Sequence, residues 1–184
     1  MIIGITGSFG AGKGVVVDYL VQQKNFKHYS ARTFIFEEAV RRGLDVSKGR
    51  EVTIPVANDL RAKNGPAYII ESLYKQAMAG GGDAVIESLR AVAEVRKLKE
   101  LGGVVLGVEA DAHVRYERIL KRGSETDNVS YEQWLDQERR ESNPNDPTKQ
   151  NIFGALKESD FILTNNGTPE ELFEQVEEVL AKVK

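Results

Sequence analysis

The sequence contains no cysteine. Disulfides, thiolate metal sites and cysteine nucleophiles are therefore excluded. Histidine is almost as scarce: His28 and His113 are the only two, far apart in the chain, and no zinc site is expected from them. No apolar run approaches the roughly 20 residues of a membrane span. The apolar start of the chain is too short, and too quickly broken by glycine, for a secretory signal. The expectation is a cytoplasmic protein with no membrane partner. An excess of one charge is lacking as well. The 25 Lys and Arg stand against 28 Asp and Glu, a net charge of -3, which offers no footprint for nucleic acid. Internal repeats, low-complexity tracts and interdomain linkers are absent too, and the pattern is silent on oligomeric state. What is present is an ordinary globular composition, 41% hydrophobic and 29% charged over 184 residues. That is enough for a substantial core, and residues 1–184 read as a single domain.

The strongest signal lies at the start. Ile2-Ile3-Gly4-Ile5-Thr6 reads as a short buried strand, and Val15 to Val21 read as the start of a helix. Between them, Gly7-Ser8-Phe9-Gly10-Ala11-Gly12-Lys13 has the spacing of a phosphate-binding loop, G-x-x-x-x-G-K. Glycines let such a loop curl, backbone N–H groups and the following helix end attract anionic oxygens, and the lysine adds a full charge for the outer phosphates of a nucleoside triphosphate. Gly14 follows where Ser or Thr usually helps hold Mg²⁺. That departure argues against a GTPase or motor ATPase. Mg²⁺ would rest on the nucleotide, water and an acidic residue elsewhere.

Strand and helix patterns then alternate. Strands are expected at Lys27–Ser30, Asp83–Glu87, Val104–Val108 and Asp160–Thr164. Helices are expected at Arg32–Arg42, Glu51–Lys63, Ala67–Ala79, Val92–Leu101, from a cap at Asp111 to Arg122, and at Tyr131–Ser142. Thr168-Pro169-Glu170-Glu171 marks the start of a last helix with a capping box. The pattern predicts an α/β fold, a five-stranded parallel sheet with helices on both faces. Two connections exceed what a crossover needs. Residues 31–80 read as an acceptor-binding insertion and 123–148 as a lid that excludes water.

Glu87 closes the third predicted strand, at the sheet edge where ligands collect. It is the candidate to hold Mg²⁺ through water or to activate an acceptor, the alternative being a helix-start carboxylate. Arg90 is the candidate for a phosphate on acceptor or donor. Arg115, Arg118 and Arg122 share one face of their helix, with Tyr116, Ile119 and Leu120 toward the packed side. Beside a phosphate loop they read as charge-neutralising groups rather than a solvated face. Arg139 and Arg140 are a further contribution from the lid or, beside Glu138 and Glu141, a solvated stretch. Arg32 and Arg61 are the candidates for an acceptor phosphate. Tyr68 and Tyr74 read as core.

Together these residues resemble the P-loop kinases that phosphorylate nucleotides: adenylate and other nucleoside monophosphate kinases, and dephospho-CoA kinase. Gly12-Lys13-Gly14 resembles the loop of the monophosphate kinases, which place Thr where this chain has Val15. Ile86-Glu87-Ser88-Leu89-Arg90 looks like their Asp-Gly-x-Arg strand end, with Glu87 for Asp and Ser88 for Gly. The resemblance extends to Asn165-Asn166-Gly167-Thr168, similar to the loop whose backbone meets the donor adenine, and it implies ATP as donor, Mg²⁺ as cofactor and a small nucleotide as acceptor. Gly7 through Val15, Arg115 and Gly167 would hold ATP. Lys13, Glu87, Arg90, Arg118 and Arg122 would serve the transfer. Phe36 stands where adenylate kinases place an acceptor arginine, and no Asp pair of the dephospho-CoA kinase kind follows the second strand. A monophosphate kinase therefore ranks first and dephospho-CoA kinase second. A nucleotide-binding sensor without turnover remains the reading from another class, on the strength of Gly14, Glu87 and Phe36.

Overall fold

The computed structural model describes residues 1–123, 130–140, 142, 145–146 and 148–183. Five strands, β1 (Ile2–Gly7), β2 (Lys27–Ser30), β3 (Ala84–Leu89), β4 (Val104–Glu109) and β5 (Phe161–Thr164), form one sheet in the order β2-β3-β1-β4-β5. Every pairing is parallel. Helices fill each connection, which is what parallel neighbours require. They are α1 (Lys13–Lys24), α2 (Ala31–Arg41), α3 (Arg50–Asn64), α4 (Tyr68–Gly80), α5 (Val92–Glu100), α6 (Ala112–Arg122), α7 (Tyr131–Arg140), α8 (Ile152–Lys157) and α9 (Pro169–Val183), with a 3-10 turn at Val46–Lys48.

Strand alternation divides the core in two. Ile3, Ile5, Val85, Leu106, Val108 and Leu163 face α1 and α9. Ile2, Ala84, Ile86, Leu89 and Val105 face the layer made by α2 to α5 and α8. Glu87 shares the parity of Val85 and lies in register with Ser30, so its side chain belongs to the α1 face. The loop between β1 and α1 therefore opens at the C-terminal edge of the sheet, between the ends of β3 and β4.

Several elements differ from the sequence pattern. β3 runs two residues past Glu87, to Leu89. Ile5 pairs with Glu87 and Thr6 with Leu89, so Ser88 bulges from the ladder with φ 70°. Serine thus adopts a left-handed conformation where the resembled motif has glycine, a strain of the kind that collects at functional sites. Helix α8 was not anticipated. Six residues are too few to show a period, and the side chain of Asn151 starts it by accepting from the Gly154 N–H at 2.9 Å. Asp111 precedes α6 without a side-chain capping bond. Leu120 is exposed rather than packed, while its neighbour Ile119 is buried. The Thr168 capping box is reciprocal. The Thr168 N–H donates to Glu171 Oε2 at 3.0 Å, and the Glu171 N–H donates to Thr168 Oγ1 at 3.3 Å.

Candidate functional site

The phosphate loop is wedged between two neighbours. Gly10 and Gly12 have φ of 75° and 95°. A Cβ on Gly10 would press on the Arg115 carbonyl oxygen at 2.5 Å, and one on Gly12 would run into the Asn165 amide. Only glycine meets both the angle and the space there. Buried Asn165 holds the loop from β5, donating its Nδ2 to the Ala11 carbonyl at 2.9 Å. Gly14, by contrast, faces open space, with nothing within 4 Å of where a Cβ would stand, and Val15 is exposed beside it.

Lys13 lies back across its own loop. Its Nζ donates to the carbonyls of Gly7 and Ser8, both at 2.8 Å. Burial lowers its pKa to about 7, with Arg90 and Arg115 adding to the fall and Glu87 and Glu138 opposing it. A partly buried ammonium that rests on carbonyl oxygens, in a field of other cations, is poised to receive negative charge.

Glu87 is half-buried near the end of β3, close enough to Lys13 to raise its pKa. Ser30 Oγ donates to its Oε1 at 3.0 Å, and His28 Nε2 lies 3.6 Å from its Oε2. His28 lowers the Glu87 pKa, and Glu87 raises that of His28. Ser30 also caps α2, accepting from the Thr33 N–H at 3.3 Å. The carboxylate is thus ionised and oriented toward the loop side of the sheet, by partners that the sequence pattern did not connect with it.

The arginines separate into groups. Arg90 lies beside the Phe9 ring, 5.2 Å from its centre, and its Nη1 is 3.4 Å from Gln150 Oε1. Arg115 is buried. It donates through Nε to the Ala110 carbonyl at 2.9 Å and through Nη1 to the Phe9 carbonyl at 3.2 Å, makes a two-pronged pair with Glu138 of α7, and lies over Trp134. It ties α7 to the phosphate loop. Arg118 donates to the Asn165 carbonyl at 2.9 Å. Arg122 lies in α6, but its side chain is outside the described residues, as is that of Arg140; Glu141 is outside them altogether. Arg32 is exposed on α2, and Phe36 is 43% exposed on the same helix.

Arg61 is placed differently from the expectation. It is 2% exposed and gives Nε and Nη2 to Glu94 Oε1 at 2.9 and 2.8 Å. The other Glu94 oxygen accepts from the N–H groups of Arg90 and Ala91. The guanidinium thereby fastens α3 to the start of α5, a structural engagement that the residue type alone does not reveal. Its Nη1 is buried without a partner. Gly167 lies under the Glu171 carboxylate that caps α9.

Sequence reasoning missed Glu138, Glu94 and Arg50 as contributors, and read Asn165 only as part of a loop meeting the donor adenine, not as an anchor of the phosphate loop. Arg50, the first residue of α3, lies 4.3 Å from the centre of the Phe9 ring. No local motif marks these four roles, and each is exercised through a contact made across the fold. A cavity of about 680 Å³ opens elsewhere, beside Pro66, Tyr68, Val92 and Lys149, and contains no residue of the phosphate loop. Several of its rim charges are paired, Arg96 with Glu158 at 2.6 Å and Lys97 with Glu100 at 2.7 Å among them, and the chemistry is assigned to the loop.

Comparison with known proteins agrees with this geometry. A family model described as an AAA domain matches residues 3–143. A UPF0200 protein of Pyrobaculum aerophilum is 28% identical over 186 residues, covering 100% of this chain and 98% of its own length. The crystal structure of TT1252 from Thermus thermophilus superposes with a TM-score of 0.68 at 20% identity, covering 100% of this chain and 98% of that one. Shikimate kinase from Acinetobacter baumannii, in complex with shikimate, superposes with a TM-score of 0.59 at 16% identity, covering 100% and 94%. The fold is that of P-loop kinases.

Proposed function

The chain belongs to the AAA domain family, and on that premise we propose that it is an ATP-dependent phosphotransferase acting on a small nucleotide. Nucleoside and deoxynucleoside monophosphates are the first candidate acceptors, with dephospho-CoA second. The observation that supports this most is the partly buried Lys13 ammonium, held on the Gly7 and Ser8 carbonyls within the field of Arg90 and Glu87. A triphosphate tail would draw that ammonium from the carbonyls to its own oxygens.

In this reading residues 31–80 receive the acceptor, and the lid expected over 123–148, which lies partly outside the described residues, reaches the donor loop through α7 and its Glu138–Arg115 pair. The bond from the γ-phosphorus to the β–γ bridging oxygen breaks and its electrons leave with ADP. A new P–O bond forms to the acceptor oxygen. A phosphate acceptor attacks through an oxygen that is already ionised, and a hydroxyl acceptor would lose its proton to Glu87. Arg90 and Arg118 offset charge on the moving group, and Arg115 would do so on exchanging Glu138 for phosphate.

Among the described residues, no group of three or more His, Asp or Glu could hold a metal alone. The ionised Glu87 and the open space at Gly14 fit a Mg²⁺ that arrives on the nucleotide and keeps its waters. When bound, it would neutralise phosphate charge.

The test is to incubate the protein with ATP, Mg²⁺ and a panel of monophosphates, deoxymonophosphates and dephospho-CoA, and to measure ADP. Acceptor-dependent ADP that disappears in Lys13→Ala is expected. Tight ATP binding with no turnover on any acceptor would instead mark a sensor.

A further inference from the structure

Arg50 begins α3, where a cation opposes the positive end of the helix, and Gly49 before it supplies no side-chain cap. Helix stability gives no reason for an arginine at that position. Its guanidinium lies 4.3 Å from the centre of the Phe9 ring, in the middle of the phosphate loop. Arg90 lies 5.2 Å from the same centre and the Lys13 ammonium 5.9 Å. Three cations, from α3, from the end of β3 and from the start of α1, thus converge on one aromatic ring. The ring attracts each of them. It also gathers like charges that repel one another, and burial in this field already costs Lys13 part of its proton affinity. The donor tail accounts for Lys13 and the loop. It does not account for Arg50, which comes from the start of α3 and not from the loop.

We infer that Arg50 and Arg90 form a two-guanidinium receptor for a phosphate carried by the acceptor, with the Phe9 ring as the platform that holds them beside the donor loop. The acceptor class is then a phosphomonoester rather than an uncharged alcohol. Guanidinium forks suit this task because two N–H groups can meet two phosphate oxygens at once. The inference rests on the phosphotransferase reading and adds a substrate-binding residue to it.

The experiment loads the protein with ADP and titrates a panel of nucleoside monophosphates, ribose 5-phosphate and the corresponding unphosphorylated nucleosides by calorimetry. The proteins compared are wild type, Arg50→Ala, Arg50→Lys and Phe9→Leu. At least one phosphomonoester should bind the ADP-loaded wild type. Arg50→Ala should weaken it about tenfold or more, as expected for a lost charge-assisted bond. Arg50→Lys should recover part of that loss, and Phe9→Leu should weaken the ester as well. In the two Arg50 variants ADP affinity and nucleoside affinity should change less than about twofold. The inference is overturned if no phosphomonoester binds the ADP-loaded protein, if Arg50→Ala binds the ester as wild type does, or if ester and nucleoside weaken together. Failure of ADP itself to bind wild type is a separate result, which removes the phosphotransferase reading and this inference with it.

Discussion

Nucleotide binding should make this protein take up a proton, and the proton should go to Lys13. The pKa of its ammonium falls from 10.5 to about 7, chiefly through burial. That fall corresponds to roughly 5 kcal/mol of preference for the neutral amine. A triphosphate tail replaces carbonyl dipoles with full negative charges, and the pKa should return toward its ordinary value. At about pH 8 the unliganded lysine is roughly 10% protonated, so binding should take up about 0.9 proton per nucleotide. The share taken up by Lys13 should shrink as pH falls through about 7, where the unliganded lysine is already becoming protonated. Calorimetric titration of ATP in buffers of different ionisation enthalpy reads this number directly, and Lys13→Met should abolish it. The same linkage acts on stability. A base whose folded pKa is depressed imposes its full cost below about pH 7, and the cost is relieved as pH rises from there toward 10.5. The unliganded protein should therefore gain stability between about pH 7 and 9, and saturating ATP should flatten that gain. Heats of ATP binding that are independent of buffer at about pH 8 would refute the reasoning.

Three further outcomes follow from the packing. Arg61→Met should cost about 3–5 kcal/mol in urea unfolding, because it strands Glu94 in the core; adding Glu94→Gln should restore part of that loss. Gly14→Ser should be accommodated in open space, raise stability by about 0.5–1 kcal/mol as a better helix residue, and tighten ATP binding in the presence of Mg²⁺ but not in EDTA. Ser88→Gly should gain about 1 kcal/mol in thermal unfolding, since φ 70° strains serine and not glycine.

Most of the architecture was legible because it rests on local pattern. The apolar runs of β1 and β4, the Gly-Gly break before β4 and the Thr168 box each act within a few residues. The P-loop was legible for the same reason: its glycines, Lys13 and the flanking strand and helix lie within one short stretch. What escaped was either too short to show a period, as with α8, or expressed only in backbone angle, as with Ser88. Among the arginines, residue type gave no guide. Arg61 and Arg50 both belong to α3, yet one is locked against Glu94 in the core and the other stands over Phe9.

The chain by itself therefore determined the parallel α/β sheet and the position of the anion cradle in it, because strand period, glycine spacing and capping are properties of adjacent residues. Tertiary structure alone decided which charges the cradle faces. Lys13, Phe9, Arg50, Glu87, Arg90, Arg115 and Asn165 come from six different parts of the fold, and the distances among them, with the pKa shifts of Lys13 and Glu87, depend on how those parts pack.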